Sequence, residues 1–594
     1  MKCAISSCKR AALGKDLGRF WPVWVGYILC LTILQVVHSS GDLTYWYASN
    51  LADSIQAMSF PNCAYALATA AVLFGDQFNP RMCSGIHALP LKREHWFSVH
   101  VQAGILFSLI PTALMAAFSE LVICRYSAVA DGWQIPLYWF AANNLQFLFF
   151  FGLAAFCAMC VGSRFALTVV YAMVNGFSML MFLLTDRLYT PLLQGVVTQS
   201  EPFELLCPVG QIASYRFLTL TRVKTGMVTL DKYGLEQAEY TGTLALREEG
   251  WIYLLILAAL GAVLLLAARG AYRRKQLETA GDFLAVRWLE PAFQVVYTVL
   301  CAAGFYALFY LFFGSDGSSY LLVAIGLVVG WFSGRMFLER STRVLRVKNV
   351  VGFLMMAVVM VFSMELTKLD PLGVESRIPE EQRVEQVSMS LSHHGEFSTE
   401  DPEEIRELLR LHELALTERV SIHRDATEQE AGAAFITLSY RLDNSWIVRR
   451  EYYIPAEGEA GAIARKYASR LDVVISNGDI QTEEDLRQAM RKVHYISVHG
   501  EQVDKAWLTE AFLEELTDAI VADCESGALV QSVAFHPDSV LENESYADGN
   551  VPYLYMDMSG GDFYCYLDIY ADCENVLAVL EKTGVLDALR VRKY

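Results

Sequence analysis

The chain has 594 residues, of which 54% are hydrophobic and 19% charged, a balance too apolar for an ordinary soluble protein of this size. Its net charge of −18 is unevenly divided: 43 acidic and 20 basic residues from Pro371 onward, against 22 and 27 before it. No basic patch for nucleic acid is present, so the cations of the front need another explanation.

At the N-terminus Ile5, Cys8, Ala12, Leu17 and Phe20 stand at near-helical spacing, with Lys9, Arg10, Lys15 and Arg19 between them. This suits an interfacial helix over residues 1–20 with its cations near anionic headgroups; the bland alternative is a frayed basic leader. Nine apolar stretches follow, at Trp21 to Val37, Ile55 to Phe74, Phe97 to Ile123, Leu137 to Val161, Phe165 to Leu184, Trp251 to Ala268, Phe293 to Phe313, Tyr320 to Phe337 and Val350 to Leu366. Roughly 20 apolar residues let a helix cross hydrocarbon, where every backbone amide has to be bonded inside its own segment. A cleaved signal peptide is the rival reading of the first stretch, but no small-x-small site follows His38. With a cytoplasmic N-terminus the inner loops and span ends collect Lys9, Arg10, Arg81, Lys92, Arg93, Arg164, Arg273, Arg274, Lys275, Arg340 and Arg343 among others, and the short outer loops only Arg125. Lys and Arg resist translocation, so nine crossings leave the acidic tail outside.

Between the second and third stretches lies GDQFNPRMCSGIHALPLKREHW, Gly75 to Trp96, too polar for a span and too patterned for a mere linker. Here the chain resembles the permeases of ATP-binding cassette (ABC) transporters of the type-2, exporter-like class. In that family this loop carries small residues and leucine, then proline, then a basic pair; Ser84, Gly85, Ala88, Leu89, Pro90, Lys92 and Arg93 occupy those places. The resemblance implies a coupling helix over Arg81 to Arg93 that docks on an ATPase subunit, although Gly75, Asp76 and Gln77 stand where the family has an acidic, Glu-rich start. It covers residues 1–270, with six spans at 21–270 and a long outer loop at 187–250. Three further spans at 271–366 and a tail at 370–594 make the chain look like a fused bacterial variant whose C-terminal domain has no known function. A second permease subunit, identical or different, and surrounding membrane lipid are further implied partners.

Asn143, Asn144, Gln146 and Asn175 lie within spans, where bonding between helices is the default and lining a substrate path the sharper reading. Gly326, Gly330 and Gly334, at spacing four, favour close helix packing over a gating hinge. Cys157 and Cys160 form a CxxC inside the fourth span and read as small apolar helix residues rather than a metal or redox site.

GxxxxGK[ST] is absent, so no phosphate-cradling loop belongs to this chain, which is not read as an enzyme; ATP and Mg would be bound by the partner. His412 and Glu413 open like a zinc-protease helix, but Leu416 stands in place of the second histidine. Adjacent His393 and His394 read as solvated residues, and no metal site is expected.

The tail reads as mixed α and β. Strands are expected at Val387 to Leu391, Phe435 to Leu442, Trp446 to Ile454, Tyr495 to Val498, Leu529 to Phe535, Tyr553 to Met558 and Phe563 to Tyr570. Helices are expected at Glu403 to Leu416, Ala460 to Ala468, Thr482 to Arg491, Ala506 to Val521 and Asn575 to Leu580. The order suggests two similar α+β subdomains, Val387 to Ala468 and Tyr495 to Leu580. Alternation places Cys565 in strand core rather than in a disulfide with Cys573, and puts Tyr564, Tyr566 and Tyr570 on the opposite strand face. The fold class is thus a polytopic α-helical membrane protein of about nine transmembrane helices, followed by a soluble α+β domain. The function that the resemblance implies is the permease subunit of an ABC transporter of the exporting kind; the alternative is a membrane-anchored sensor or scaffold with an extracytoplasmic ligand-binding domain. Either sits in a bacterial cell membrane with an inner N-terminus.

Overall fold

In the computed structural model, residues 2–38, 45–87, 92–126, 132–224, 229–230, 236–237, 240–313, 319–391, 394–418, 433–444, 446–475, 480, 482–498, 501–530, 532, 535, 554–560 and 563–586 are described. Two units emerge, Met1–Leu188 with Gln199–Phe362, and Tyr189–Thr198 with Ser363–Tyr594. The boundary expected near Asp370 thus falls at Ser363, and ten residues of the 187–250 loop belong with the tail.

In the first unit α1 (Lys2–Arg19) and α2 (Trp21–His38) meet at a bend of 54°. Pro22 offers no N–H to the carbonyl of Gly18, so the ladder breaks there. The stretch expected as one span over Ile55 to Phe74 is two helices, α3 (Tyr45–Ala57) and α4 (Ser59–Leu73). Pro61 is the cause, because it lacks an N–H for the Ala57 carbonyl and its ring crowds that oxygen. Bonds from Met58 N–H to Ser54 O (3.0 Å) and from Asn62 N–H to Met58 O (2.9 Å) carry the ladder past the break. A short α5 (Pro80–His87) precedes α6 (Arg93–Tyr126), α7 (Gln134–Cys160) and α8 (Arg164–Leu184). The loop after α8 holds the antiparallel pair β1 (Leu218–Lys224) and β2 (Tyr240–Leu246), and α9 (Glu248–Arg274), α10 (Glu290–Phe313), α11 (Ser319–Glu339) and α12 (Val347–Lys368) complete the unit.

Among the described residues seven helices, α6 to α12, are long and apolar enough to cross a membrane, and eight if the bent α1 and α2 count as one span. The 15 residues of α4 are too short alone. Side-chain contacts nevertheless run the whole length of α6: Tyr47 hydroxyl to Ser119 Oγ (3.1 Å), Tyr65 hydroxyl to Phe107 O (2.9 Å), then the ring of Phe74 against Phe97 (5.7 Å). The pair α3 and α4 therefore lies antiparallel to α6 from one end to the other. Helix α7 is the hub, with Trp139, Phe147, Phe150 and Phe151 fully buried. Helix α12 buries only Asn349 and exposes Leu354, Met355, Val358 and Phe362, an all-round apolar surface that suits lipid rather than water.

The second unit contains one topology twice. Strands β3 (Val384–Leu391) and β4 (His394–Thr399), helix α13 (Pro402–Glu418), strands β5 (Ala433–Leu442) and β6 (Ile447–Pro455), and helix α14 (Glu459–Ala468) form the first copy, with sheet order β4-β3-β5-β6. After α15 (Glu483–Met490), strands β7 (Tyr495–Val498) and β8 (Glu501–Gln502), helix α16 (Glu510–Glu525), strands β9 (Leu554–Gly560) and β10 (Phe563–Ile569), and helix α17 (Glu574–Lys582) repeat it, in order β8-β7-β9-β10. Both sheets are antiparallel throughout, and each copy has its own apolar core.

Three local expectations change. Helix α16 starts at Glu510, not Ala506, because Thr509 Oγ1 accepts the Phe512 N–H (3.3 Å) and caps it there. The described residues of Leu529 to Phe535 form no strand. Their apolar character serves the stop of α16: Gly527 takes φ +72°, the N–H groups of Ala528 and Leu529 return to Asp523 O, and Leu529 and Val530 are buried. The fourth strands of the sheets come instead from His394–Thr399 and Glu501–Gln502, while His393 lies outside the described residues. Cys565 and Cys573 are free, buried thiols, pushed up to about 12 by burial.

Two buried groups give the copies opposite responses to pH. His412 on α13 bonds Tyr440 Oη through Nδ1 (3.0 Å) and Tyr452 Oη through Nε2 (3.0 Å); burial, assisted by Arg450, pushes it down to about 4. Asp568 on β10 is pushed up to about 7 by burial, against a hydrogen bond from Tyr566. A depressed histidine contributes stability that is full above the ordinary 6.5 and lost as pH falls toward 4. A raised carboxyl contributes stability that is full below the ordinary 3.8 and lost as pH rises through 7. Hydrogen exchange at pH 7.5 and pH 5, corrected for intrinsic rates, is expected to weaken the first copy and strengthen the second at the lower pH, each on the order of 2 kcal/mol. A shift of the same sign in both copies would contradict this assignment.

Candidate functional site

The loop expected to couple to a partner is built as a platform at one end of the first unit. In α5, Asn79 Oδ1 accepts the Arg81 N–H (3.0 Å) and starts the turn, and Ser84 Oγ folds back on Pro80 O (3.0 Å). This leaves Arg81, Ser84 and Gly85 exposed and turns Cys83 inward. Lys92 is exposed at the start of α6, whereas Leu89 and Pro90 lie outside the described residues.

Beneath α5 three loops are laced together. Arg93 donates through Nη1 to Lys275 O (3.2 Å), joining the start of α6 to the end of α9. Glu94 adds ion pairs with Arg269 (3.0 Å) and Arg273 (2.7 Å). Lys275 is half-buried and donates to Ala158 O (2.9 Å) and Val161 O (2.6 Å), capping the C-terminus of α7 with a cation where the helix dipole favours one. Burial pushes this amine down to about 8. The backbone of Val161 bridges Leu284, and Gly162 O accepts the Gly281 N–H (2.7 Å), so the loop after α7 is paired with the loop after α9. A cavity of about 10 Å³, enough for one water, remains among Gln77, Cys83, Arg93, Tyr272 and Lys275. Helix α1 reaches the same end, because Asp16 bonds His100 (2.9 Å) two turns into α6.

The polar residues of the spans are distributed differently. Asn143 and Gln146 are fully buried, and both accept from Asn62 Nδ2, at 3.0 and 2.8 Å. Tyr27 donates to Asn62 Oδ1, and Gln146 Nε2 donates to Ile55 O (3.0 Å), so α2, α3, α4 and α7 share one network. Asn144 exchanges bonds with Ser108 (2.8 Å) and Thr112 (2.9 Å) of α6. Asn175 donates only to Tyr171 O (2.9 Å), one turn earlier, and its buried Oδ1 has no partner among the described residues. Gly326, Gly330 and Gly334 lie against α10: a Cβ at Gly326 would stand 2.7 Å from Ala302 Cα, and one at Gly330 2.7 Å from Cys301 Cβ.

Five residues have roles in this geometry that escape the sequence reading. Asn62 and Tyr27 make the network, Lys275 ties the platform, and Gly152 meets Gly261 where α7 crosses α9. Polarity within an apolar run was the available signal for Asn62; the others depend on partners more than 30 residues away. Among the described residues no group of three or more His, Cys, Asp or Glu side chains could hold a metal. None of the protein-family models, curated proteins or solved structures compared with the chain matches it.

Proposed function

We propose that this chain is the permease subunit of an ATP-driven exporter, powered by a separate ATPase that binds ATP and Mg. The observation that carries the reading is α5: an exposed short helix between α4 and α6, bearing Arg81, Ser84 and Gly85 outward and seated on the platform fastened by Arg93 and Lys275. A partner that pushes on α5 moves the ends of α6, α7 and α9 together, because those ends are bonded to one another. Access to a path between this subunit and a second permease changes with them, and of the four candidate path residues Asn175 is the one whose side-chain acceptor is open to a substrate.

Sidedness follows from counting. The cations at the platform end, Lys92, Arg93, Arg164, Arg273 and Arg274, favour the cytoplasm. The contacts of α3 and α4 along α6 support counting that bent pair as a crossing, which makes nine. Four membrane-length helices, α9 to α12, separate Thr198 from the chain that leaves α12, an even number, in keeping with a single extracytoplasmic unit formed from both segments. The chain is then a multi-pass cell-membrane protein with its N-terminus inside.

Replacing Pro90 and Arg93 together by alanine is expected to lower stimulation of the partner's ATPase and transport at least tenfold while the chain still accumulates; retained activity would sink the assignment. A second reading, a sensor with an outer ligand-binding domain, is favoured by a cleft of about 990 Å³ between the two copies of the tail fold, bordered by Arg465, Arg470, Glu483 and Glu525. Purification separates the two readings, since a transporter brings its ATP-binding subunit and a sensor is stable without it.

A further inference from the structure

The exposed edge of β6 is occupied by a piece of the loop that follows α8. Val196 forms an antiparallel bridge with Arg450, and the Glu451 N–H donates to Gly195 O (3.1 Å). Gly195 has φ +72°, and a Cβ there would lie 2.0 Å from the Tyr452 ring, so both backbone and space require glycine. Tyr452 cannot easily retreat, because its hydroxyl is bonded to buried His412. Gln194 N–H is held by the Glu375 carboxylate (2.8 Å), and the Arg450 guanidinium donates to Val374 O (2.9 Å), which ties the same place to the segment leaving α12. Thr190 and Thr198 bond each other across the base of the loop, and Tyr189 hydroxyl meets Ser363 Oγ (2.9 Å) where both segments enter the unit.

We infer that Gln194 to Val196 is a strap that joins the tail domain by strand addition, so that the domain is fastened to the chain leaving α8 as well as to the chain leaving α12. Strand addition suits a lasting connection: main-chain bonds hold it, it closes an edge that would otherwise attract other chains, and the loop's tether supplies a high local concentration. The device is conformational. A displacement of the end of α8 has to carry the domain with it or break the bridge at Arg450, and anything that moves the domain pulls on α8. The strap stands whether or not the chain transports, since its bonds are independent of α5 and the platform.

Hydrogen exchange on the full chain in detergent or nanodiscs tests it. In the wild type, residues 189–198 and the Glu451 amide are expected to exchange at least tenfold more slowly than an open loop. Gly195→Val is expected to remove that protection in 189–198 and at Glu451 together, leaving β9 and β10 unchanged. Exchange of 189–198 at open-loop rates in the wild type, a measurement that needs no variant, would overturn the proposal. So would a folded Gly195→Val chain that keeps both segments protected.

Discussion

Gly261→Val is expected to prevent α7 and α9 from packing and to cost about 3 kcal/mol or more, because the added atoms meet backbone that cannot turn aside. A Cβ at Gly261 would lie 2.6 Å from Phe149 Cα and 2.7 Å from Leu148 O, and the reciprocal Cβ at Gly152 would lie 2.3 Å from Gly261 O. Each helix thus uses its glycine to admit the other's main chain. In lipid this contact matters more than in water, because apolar side chains gain little by leaving lipid tails for one another, so dispersion across a close crossing has to hold the pair. Helix α7 is also the hub on which α4 and α6 pack, and a separated α9 would pull Lys275 away from Ala158 O and Val161 O. The control is Gly304→Ala in α10, where nothing lies within 4 Å of the new Cβ. That change is expected to be neutral or to stabilise by about 0.5–1 kcal/mol through helix propensity. Thermal unfolding and size-exclusion profiles in detergent compare the two. Equal midpoints for Gly261→Val and Gly304→Ala would refute the close crossing as the source of stability.

What the sequence made legible was whatever depends on neighbours close in the chain. Apolar length marks α6 to α12, helical spacing gives α13 and α15, and alternation gives β5, β6, β9 and β10 to within a few residues. Misreadings arose where one local pattern serves two purposes. The apolar run at Leu529 fits a strand, yet it buries against the core to finish a helix that Gly527 stops. His394–Thr399 lacks strand alternation at its start, and it pairs because β3 offers an edge. Other features are tertiary from the outset. Buried Asp523 in α16 accepts the Asn575 and Val576 N–H groups and so caps α17 about 50 residues away, and no local signal could reveal that a carboxylate on one helix starts another. Pro61, which divides the second stretch into α3 and α4, is visible in the sequence itself. The pairing of Gly152 with Gly261, and of Gly195 with Tyr452, is not, since a lone glycine in an apolar run does not say what approaches it.

Asn62→Leu is expected to lower stability by roughly 2–4 kcal/mol, because one substitution orphans groups on three side chains. Asn62 is fully buried; it accepts from Tyr27 and donates to Asn143 Oδ1 and Gln146 Oε1, and leucine can do neither. Tyr27 also stacks on Tyr65 with centroids 3.8 Å apart, which prevents its hydroxyl from swinging to another acceptor without unstacking. Hydrogen bonds within membranes average about 0.6 kcal/mol and reach about 1.7, so three losses together exceed what any one bond would suggest. The network reading makes a sharper prediction than the single variant. In Asn62→Leu with Gln146→Leu, one orphaned acceptor is removed along with its donor, so the double change should cost less than the sum of its parts by about 1 kcal/mol. Additive costs would mean that Gln146 does not depend on Asn62. If Asn143 and Gln146 instead served chiefly to line a path, their substitution would reduce transport while leaving the melting temperature in place. The bonds from Asn62 and to Ile55 O argue for the reverse order: stability falls first, and a loss of the proposed transport follows from it.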